Sequence, residues 1–125
     1  MEAENSTHTS EDPFMRLLCI INRKWTILTI VAIGNHEGVR FNDLKRELDG
    51  VSPKTLSETI RELDNIGVVT TVRSPGPPLR IQYFLTNDGH ELHRSVLPAL
   101  RWVFDKSPAC SSTAVLEALE RNIKK

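Results

Sequence analysis

The chain has 125 residues, of which 39% are hydrophobic and 26% charged, a composition typical of one globular domain. No apolar run approaches the roughly 18 residues that cross a bilayer, so no membrane-spanning segment is predicted. Residues 1–11 are polar and lack the apolar stretch of a secretory signal. We interpret them as a disordered lead-in and expect a cytoplasmic protein. Cys19 and Cys110 have no CxxC spacing, which predicts neither a disulfide framework nor a metal site, and no cofactor is indicated.

Net charge is zero, from 16 basic and 16 acidic side chains, so a role on nucleic acid depends on where the charges lie. Residues 1–22 contain one basic and four acidic side chains, residues 23–80 nine and seven, and residues 81–125 six and five. The central segment therefore has a net charge of plus two (nine minus seven), the largest basic excess of the three. This excess is small beside that of strongly basic DNA-binding proteins.

Two helices are predicted in the first third of the chain. Asp12 precedes Pro13 as a cap, and residues 13–21 are apolar at most positions, which predicts a short helix with two packing partners. Residues 24–33 place apolar side chains on one stripe and end at Gly34, the pattern of a core helix.

A pair of helices joined by a tight turn is predicted next. Residues 41–48 have apolar side chains at helical spacing and end at Gly50. Ser52 then caps a helix with Pro53 at its first position, where the missing N–H costs nothing. One face of this helix is apolar, and Gly67 ends it.

Two strands follow, with a very short additional strand at residues 39–40. Residues 68–73 and 80–85 are β-branched and aromatic, and the proline-rich segment 74–78 between them cannot join a sheet interior. This pattern predicts a hairpin with a stiff loop.

A long helix capped by Thr86 is predicted after the hairpin, with Pro98 causing a kink or an early break. A polar linker and a short amphipathic helix at 114–125 complete the chain. The order of elements predicts a mainly α winged helix-turn-helix with a two-stranded wing and additional helices at both ends. We expect one domain over residues 12–106, and residues 107–125 to form the linker and the last helix.

The helix that begins at Ser52 is the candidate for reading DNA. In a helix-turn-helix, the second helix keeps an apolar face on the core and presents short polar and basic side chains to the major groove. Arg and Lys suit guanine or phosphate, Ser and Thr suit phosphate, and Glu suits cytosine. The candidates here are Ser52, Lys54, Thr55, Ser57, Glu58 and Arg61, together with Arg40 at the start of the preceding helix. The solvated face of an ordinary amphipathic helix would contain similar residues.

The predicted hairpin strengthens this interpretation. Its loop is stiffened by Pro75, Pro77 and Pro78, and Arg73 and Arg80 flank it. Cations beside a preordered backbone suit phosphates or a minor groove. A rigid turn with two solubilising arginines is the alternative.

Several short motifs follow one another from the second predicted helix to the long one. They are Lys24-Trp25-Thr26, Arg40-Phe41-Asn42-Asp43-Leu44, Gly50-Val51-Ser52, Leu56-Ser57, Arg61-Glu62-Leu63, Gly67-Val68-Val69, Pro77-Pro78, Arg80-Ile81-Gln82-Tyr83-Phe84-Leu85-Thr86, Gly89 and Trp102. In this order and spacing they resemble the HxlR-type family of winged-helix regulators, within the MarR-like superfamily, across residues 12–104.

The resemblance implies a homodimer that binds a pseudo-palindromic operator in double-stranded DNA, with the two reading helices on successive major-groove faces. It also implies that residues 12–106 form a DNA-binding and dimerisation domain, in which the first helix and the helix after the wing are the dimerisation helices. These two segments contain more apolar surface than one small core consumes. The candidate interface residues are Phe14, Leu17, Leu18, Ile21, Leu100, Trp102 and Phe104.

The chain departs from the family pattern at several positions. Asp12-Pro13 stands where many members have Cys-Pro, so thiol sensing at that position does not carry over. Cys19 lies in an apolar stretch, where we expect a buried and inert thiol, although Arg16 and Arg23 nearby leave a redox role as an alternative.

The wing also differs from the family pattern. Leu79 separates the prolines from Arg80, and Gln82 replaces a usual Glu, so the wing's contact with DNA is expected to shift.

No catalytic motif is present, and we predict that the chain is not an enzyme. His90 and His93 share a helix face without an evident third metal ligand, and we interpret the histidines as solvated. Two alternatives to DNA binding stay open. One is a protein-binding module, suggested by Glu58 and Glu62 on the reading helix, and the other is a redox or ligand sensor that uses Cys19.

Overall fold

The computed structural model describes residues 12–21 and 23–106, except for the side chain of Phe104. The predicted lead-in at 1–11, and the linker and last helix at 107–125, lie outside these residues. The elements are α1 (Pro13–Ile20), α2 (Lys24–Gly34), α3 (Phe41–Glu47), α4 (Pro53–Ile66), β1 (Val69–Ser74), β2 (Arg80–Leu85) and α5 (Asn87–Lys106).

Helix ends lie where the sequence places its capping residues. The Asp12 carboxylate accepts a hydrogen bond from the Phe14 N–H at 3.0 Å, which starts α1. Ser52 Oγ accepts from the Thr55 N–H at 3.0 Å, which starts α4. Gly67 ends α4 with φ of 102°, a left-handed conformation that glycine adopts at little cost. The predicted caps are confirmed.

The core is built around α2, which contacts α3, α4, α5 and β2. Ile30, Val31 and Ile33 of α2 are fully buried, as are Leu56 and Leu63 from α4. Burial of one such side chain stabilises the fold by about 1.5–3 kcal/mol. Within the described residues, no single helix is both long and apolar enough to cross a membrane. Among the described helices, α1 and α2 taken together are long and apolar enough, but the chain bends by 111° between them.

The turn between α3 and α4 holds the helix-turn-helix together. Gly50 adopts φ of 97°, and Val51 is buried in the core beside both helices, as the sequence predicts. Lys45 Nζ donates to the Val51 carbonyl at 3.3 Å. The turn is thus held by the burial of Val51 and by this hydrogen bond, as well as by the backbone conformation of Gly50.

The hairpin pairs β1 with β2 in antiparallel register, from Val69 opposite Leu85 to Ser74 opposite Arg80. The short strand predicted at 39–40 is a single bridge. Val39 and Tyr83 exchange both backbone hydrogen bonds, at 3.1 and 2.8 Å. The base of the hairpin is therefore attached to the segment that leads into α3.

The long helix α5 continues through Pro98 to Lys106, so the expected early break is wrong. Proline removes one backbone hydrogen bond of the helix. Leu97 beside it is buried in the core, and Val96 and Leu100 are half-buried against the same core. We infer that this packing compensates for the lost bond.

Two histidines differ from the solvated interpretation. His36 Nε2 and Glu47 Oε2 lie 2.7 Å apart in a half-buried contact between the end of α2 and α3. His93 is half-buried, with its ring so close to Gly34 that a Cβ there would lie 2.5 Å from Cδ2. These side chains join elements of the fold. In residues 12–21 and 23–106, no cluster of histidine, cysteine and carboxylate side chains is arranged to hold a metal.

Candidate nucleic-acid interface

The first turns of α4 present polar side chains outward. Lys54, Ser57, Glu58 and Arg61 are exposed, whereas the opposite face of the helix is buried. Ser52 is exposed as well, but its hydroxyl caps the helix and also donates to Thr55 Oγ1 at 3.0 Å. A helix N-terminus with exposed cations and hydroxyls has the composition that suits phosphates and base edges.

A groove of about 240 Å³ lies between α4 and the hairpin. It brings together three of the predicted DNA-binding residues, two from the helix and one from β1. Its lining consists of Ser57, Ile60, Arg61, Asp64, Thr71, Arg73, Ile81 and Tyr83. The helix and the wing thus form one continuous surface with two guanidinium groups on it.

The two arginines of the hairpin lie on opposite faces of the sheet. Arg73 pairs with Ile81, so these two side chains share a face. Arg80 directly precedes Ile81, and successive side chains of a strand point to opposite faces. Arg73 therefore faces the groove beside α4, and Arg80 faces the other way. Arg40 is exposed at the start of α3, one residue after the bridge to Tyr83.

Tyr83 lines the same groove. Burial raises the pKa of its phenol above the usual 10.0, and the positive charge of Arg73 partly offsets that rise. At neutral pH the hydroxyl is protonated and is able to donate or accept a hydrogen bond.

Two of the acidic residues on α4 are held by the protein itself. Glu62 Oε1 lies 2.9 Å from Arg23 Nη1, at the junction of α1 and α2. Asp64 Oδ2 accepts from Thr71 Oγ1 at 2.9 Å, which links α4 to β1. Glu62, one of the two carboxylates that suggested a protein-binding surface, is thus paired within the chain, whereas Glu58 is exposed.

Sequence reasoning did not find Tyr83, Thr71, Asp64 or the partner of Glu62. A signal for Tyr83 and Thr71 was present in the strand pattern. These two residues form a cross-strand pair and alternate with their neighbours onto the face that contains Arg73. The Arg23–Glu62 pair spans 39 positions in sequence, and no local pattern indicates it.

Exposed apolar side chains lie on α1 and near the end of α5. Phe14, Leu18 and Trp102 are 60%, 62% and 63% exposed. Leu17 belongs instead to the core of its own chain, because it lies on the inward face of α1 together with Ile20. Ile21 is half-buried, and so is Leu100, which packs against the core. The side chain of Phe104 lies outside the described part.

Cys19 is exposed, so the expectation of a buried thiol is wrong. The reason is the angular position of the residue on α1. Leu17 and Ile20 face the core, and Cys19 follows Leu17 by two positions, about 200° around the helix.

The helix-turn-helix, the hairpin and the groove between them define a winged helix-turn-helix protein. The profile of the HxlR-like helix-turn-helix family matches residues 20–109. The chain belongs to this family, as the motifs of the sequence predicted.

Known relatives agree with this assignment. The chain is 28% identical over 102 residues to the HTH-type transcriptional regulator YtfH of Escherichia coli, covering 80% of this chain and 79% of YtfH. The solved structure of the transcriptional regulator YtfH from Salmonella typhimurium has a TM-score of 0.68 and 29% identity, covering 78% of this chain and 86% of that chain. A solved HxlR family transcriptional factor from Thermoplasma volcanium has a TM-score of 0.63 and 31% identity, covering 73% of this chain and 83% of that chain. Transcriptional regulation is the activity that these names describe.

Proposed function

We propose that the chain is a cytoplasmic homodimer that binds specific sites in double-stranded DNA and regulates transcription. Residues 12–106 form the domain that binds DNA and dimerises. Residues 52–66 lie in the major groove, and residues 73–80 contact the backbone or the minor groove. The observation that carries the proposal is the groove in which Ser57 and Arg61 of α4 meet Arg73 of the hairpin.

The charges on this surface support the proposal. Lys54 and Arg61 project from α4, Arg73 lies across the groove, and Arg80 extends from the other face of the hairpin. Arg23 neutralises Glu62, so less of the negative charge on α4 opposes a phosphate. A total charge of zero is compatible with DNA binding, because Arg61 and Arg73 line one groove, with Lys54 exposed on the same helix as Arg61.

DNA binding is tested by titrating the protein with a random-sequence duplex pool and with the duplexes it enriches, at several salt concentrations. We expect Arg61→Ala to lower affinity for the enriched duplex by about 1–3 kcal/mol and to relax its sequence preference, as loss of a base contact does. We expect Arg80→Ala to weaken binding to all duplexes and to reduce the salt slope by about one.

Arg94→Ala is the matched control, because Arg94 is an exposed arginine on α5, away from the groove. Its affinity and salt slope should equal those of the wild type. If the wild type enriches no duplex, or if Arg61→Ala and Arg80→Ala bind as the wild type does, the proposal is wrong.

Exposed apolar side chains on α1 and α5 support the proposed dimerisation. A second copy would cover these aromatic and aliphatic side chains. A two-fold dimer would present two α4 helices to one face of the duplex.

The exposure of Cys19 favours a second candidate function, a thiol-based response. The residue lies on α1 beside the proposed dimer surface, one turn after the exposed Met15. Alkylation of Cys19 in the native protein, followed by measurement of DNA affinity, tests it. Loss of affinity in the wild type but not in Cys19→Ser supports the response, and equal affinity before and after alkylation excludes it.

A further inference from the structure

The tip of the hairpin presents no polar side chain. Residues 75–79 consist of three prolines, Gly76 and Leu79, and all five are exposed. Leu79 is 56% exposed. Single exposed leucines are common on protein surfaces, but this one belongs to a continuous apolar loop between two arginines.

The tip is also held in a defined position. Ser74 and Arg80 form the last pair of the ladder, and the bridge between Val39 and Tyr83 fixes the base of the hairpin to the core. The prolines have their φ angles fixed by their rings, which reduces the freedom of the loop. Ordering the backbone of the tip on contact with a ligand therefore costs little additional conformational entropy.

Arg73 and Arg80 lie on opposite faces of the hairpin, just behind this tip. A minor groove is about 6 Å wide and has a phosphate backbone along each side. If the tip enters the groove, the two guanidinium groups are placed toward the two backbones. No side chain of the tip is able to hydrogen-bond a base edge, so its contact at the level of the bases is apolar.

We propose that Leu79 inserts between two stacked base pairs from the minor groove and bends the duplex. This inference rests on the proposed DNA binding. Apolar side chains that enter the minor groove in this way unstack a base step and kink the duplex by about 20–90°. Pyrimidine–purine steps unstack most easily, so Leu79 would select such a step at the position of the wing.

The test uses the duplex that the wild type enriches from a random-sequence pool. Donor and acceptor dyes at its two ends report bending, and 2-aminopurine placed at one adenine at a time reports unstacking. We expect the wild type to shorten the end-to-end distance and to raise 2-aminopurine fluorescence at one step. Leu79→Ser should lose the rise, reduce the bend and lose the preference for a pyrimidine–purine step, whereas Leu79→Met should keep all three.

Val72→Ser is the matched control, because Val72 is an aliphatic side chain of the same hairpin, 43% exposed, outside the tip. It should bend and unstack the duplex as the wild type does. The proposed insertion of Leu79 is overturned if the wild type binds without bending or unstacking, if Leu79→Ser retains both signals, or if Val72→Ser loses them equally. Failure of the wild type to enrich any duplex is a separate result, which overturns the proposed DNA binding and the insertion of Leu79 together.

Discussion

Tyr83 is the one tyrosine in the sequence, and its phenol can therefore be titrated without interference from another. Burial raises its pKa above 10.0 in the folded chain. We expect the absorbance change of tyrosinate to have its midpoint above pH 10.0 in the native protein and to return to about that value in denaturant. In Arg73→Ala the native midpoint should rise further, because the guanidinium lowers this pKa. A native midpoint at the unfolded value would contradict the burial.

The same residue makes stability depend on pH. The folded pKa lies above the unfolded one, so the contribution of Tyr83 is complete below about pH 10 and is lost as the pH rises through the folded pKa. Tyr83→Phe should remove this part of the alkaline decline, measured as the free energy of unfolding in urea at increasing pH.

Among single residues, the sequence predicted those whose partner lies within one helical turn and missed those whose partner lies in another element. The caps at Asp12 and Ser52 depend on a neighbour two or three positions away, so local rules identify them. Tyr83 joins the groove because β2 pairs with β1 in one register. Arg23 reaches Glu62 only through the packing of three helices, which no window of sequence contains.

The start of α4 gives a prediction at the scale of the element. Ser52→Ala removes the acceptor for the Thr55 N–H, and we expect a loss of about 1 kcal/mol in the free energy of unfolding. Ser57→Ala, at an exposed position within the same helix, should change stability by less than about 0.5 kcal/mol. Chemical denaturation measures both variants. Equal stability of Ser52→Ala and the wild type would show that the cap contributes nothing.

Elements were predicted well where a start and a stop signal bracket one apolar face, as Ser52 and Gly67 bracket α4. Two errors have a physical cause. Pro98 does not break α5, because side chains on both sides of it pack on the core. Cys19 is exposed because α1 has core contacts on one face only, although its sequence is apolar almost throughout.

Dimerisation is a prediction at the scale of the whole molecule. Leu18→Glu places a carboxylate at the exposed apolar surface of α1. A charge that is buried without a partner is strongly unfavourable, so we expect this variant to sediment as a monomer and to lose affinity for the enriched duplex. Leu79→Glu is the control, since Leu79 is similarly exposed but lies at the hairpin tip, and it should remain a dimer. A wild type that is monomeric at all concentrations would exclude the proposed assembly.

The ion pair between Arg23 and Glu62, together with the direct contact of α1 with α4, ties the surface proposed for dimerisation to the helix proposed for reading DNA. In the proposed dimer, these contacts would hold the two α4 helices at one separation and one rotational phase along the duplex. Its operators would tolerate changes in base sequence better than changes in length. Inserting about five base pairs between the half-sites, half a turn of the duplex, would turn the second half-site away from its α4 helix. Only one subunit of the dimer could then bind its half-site.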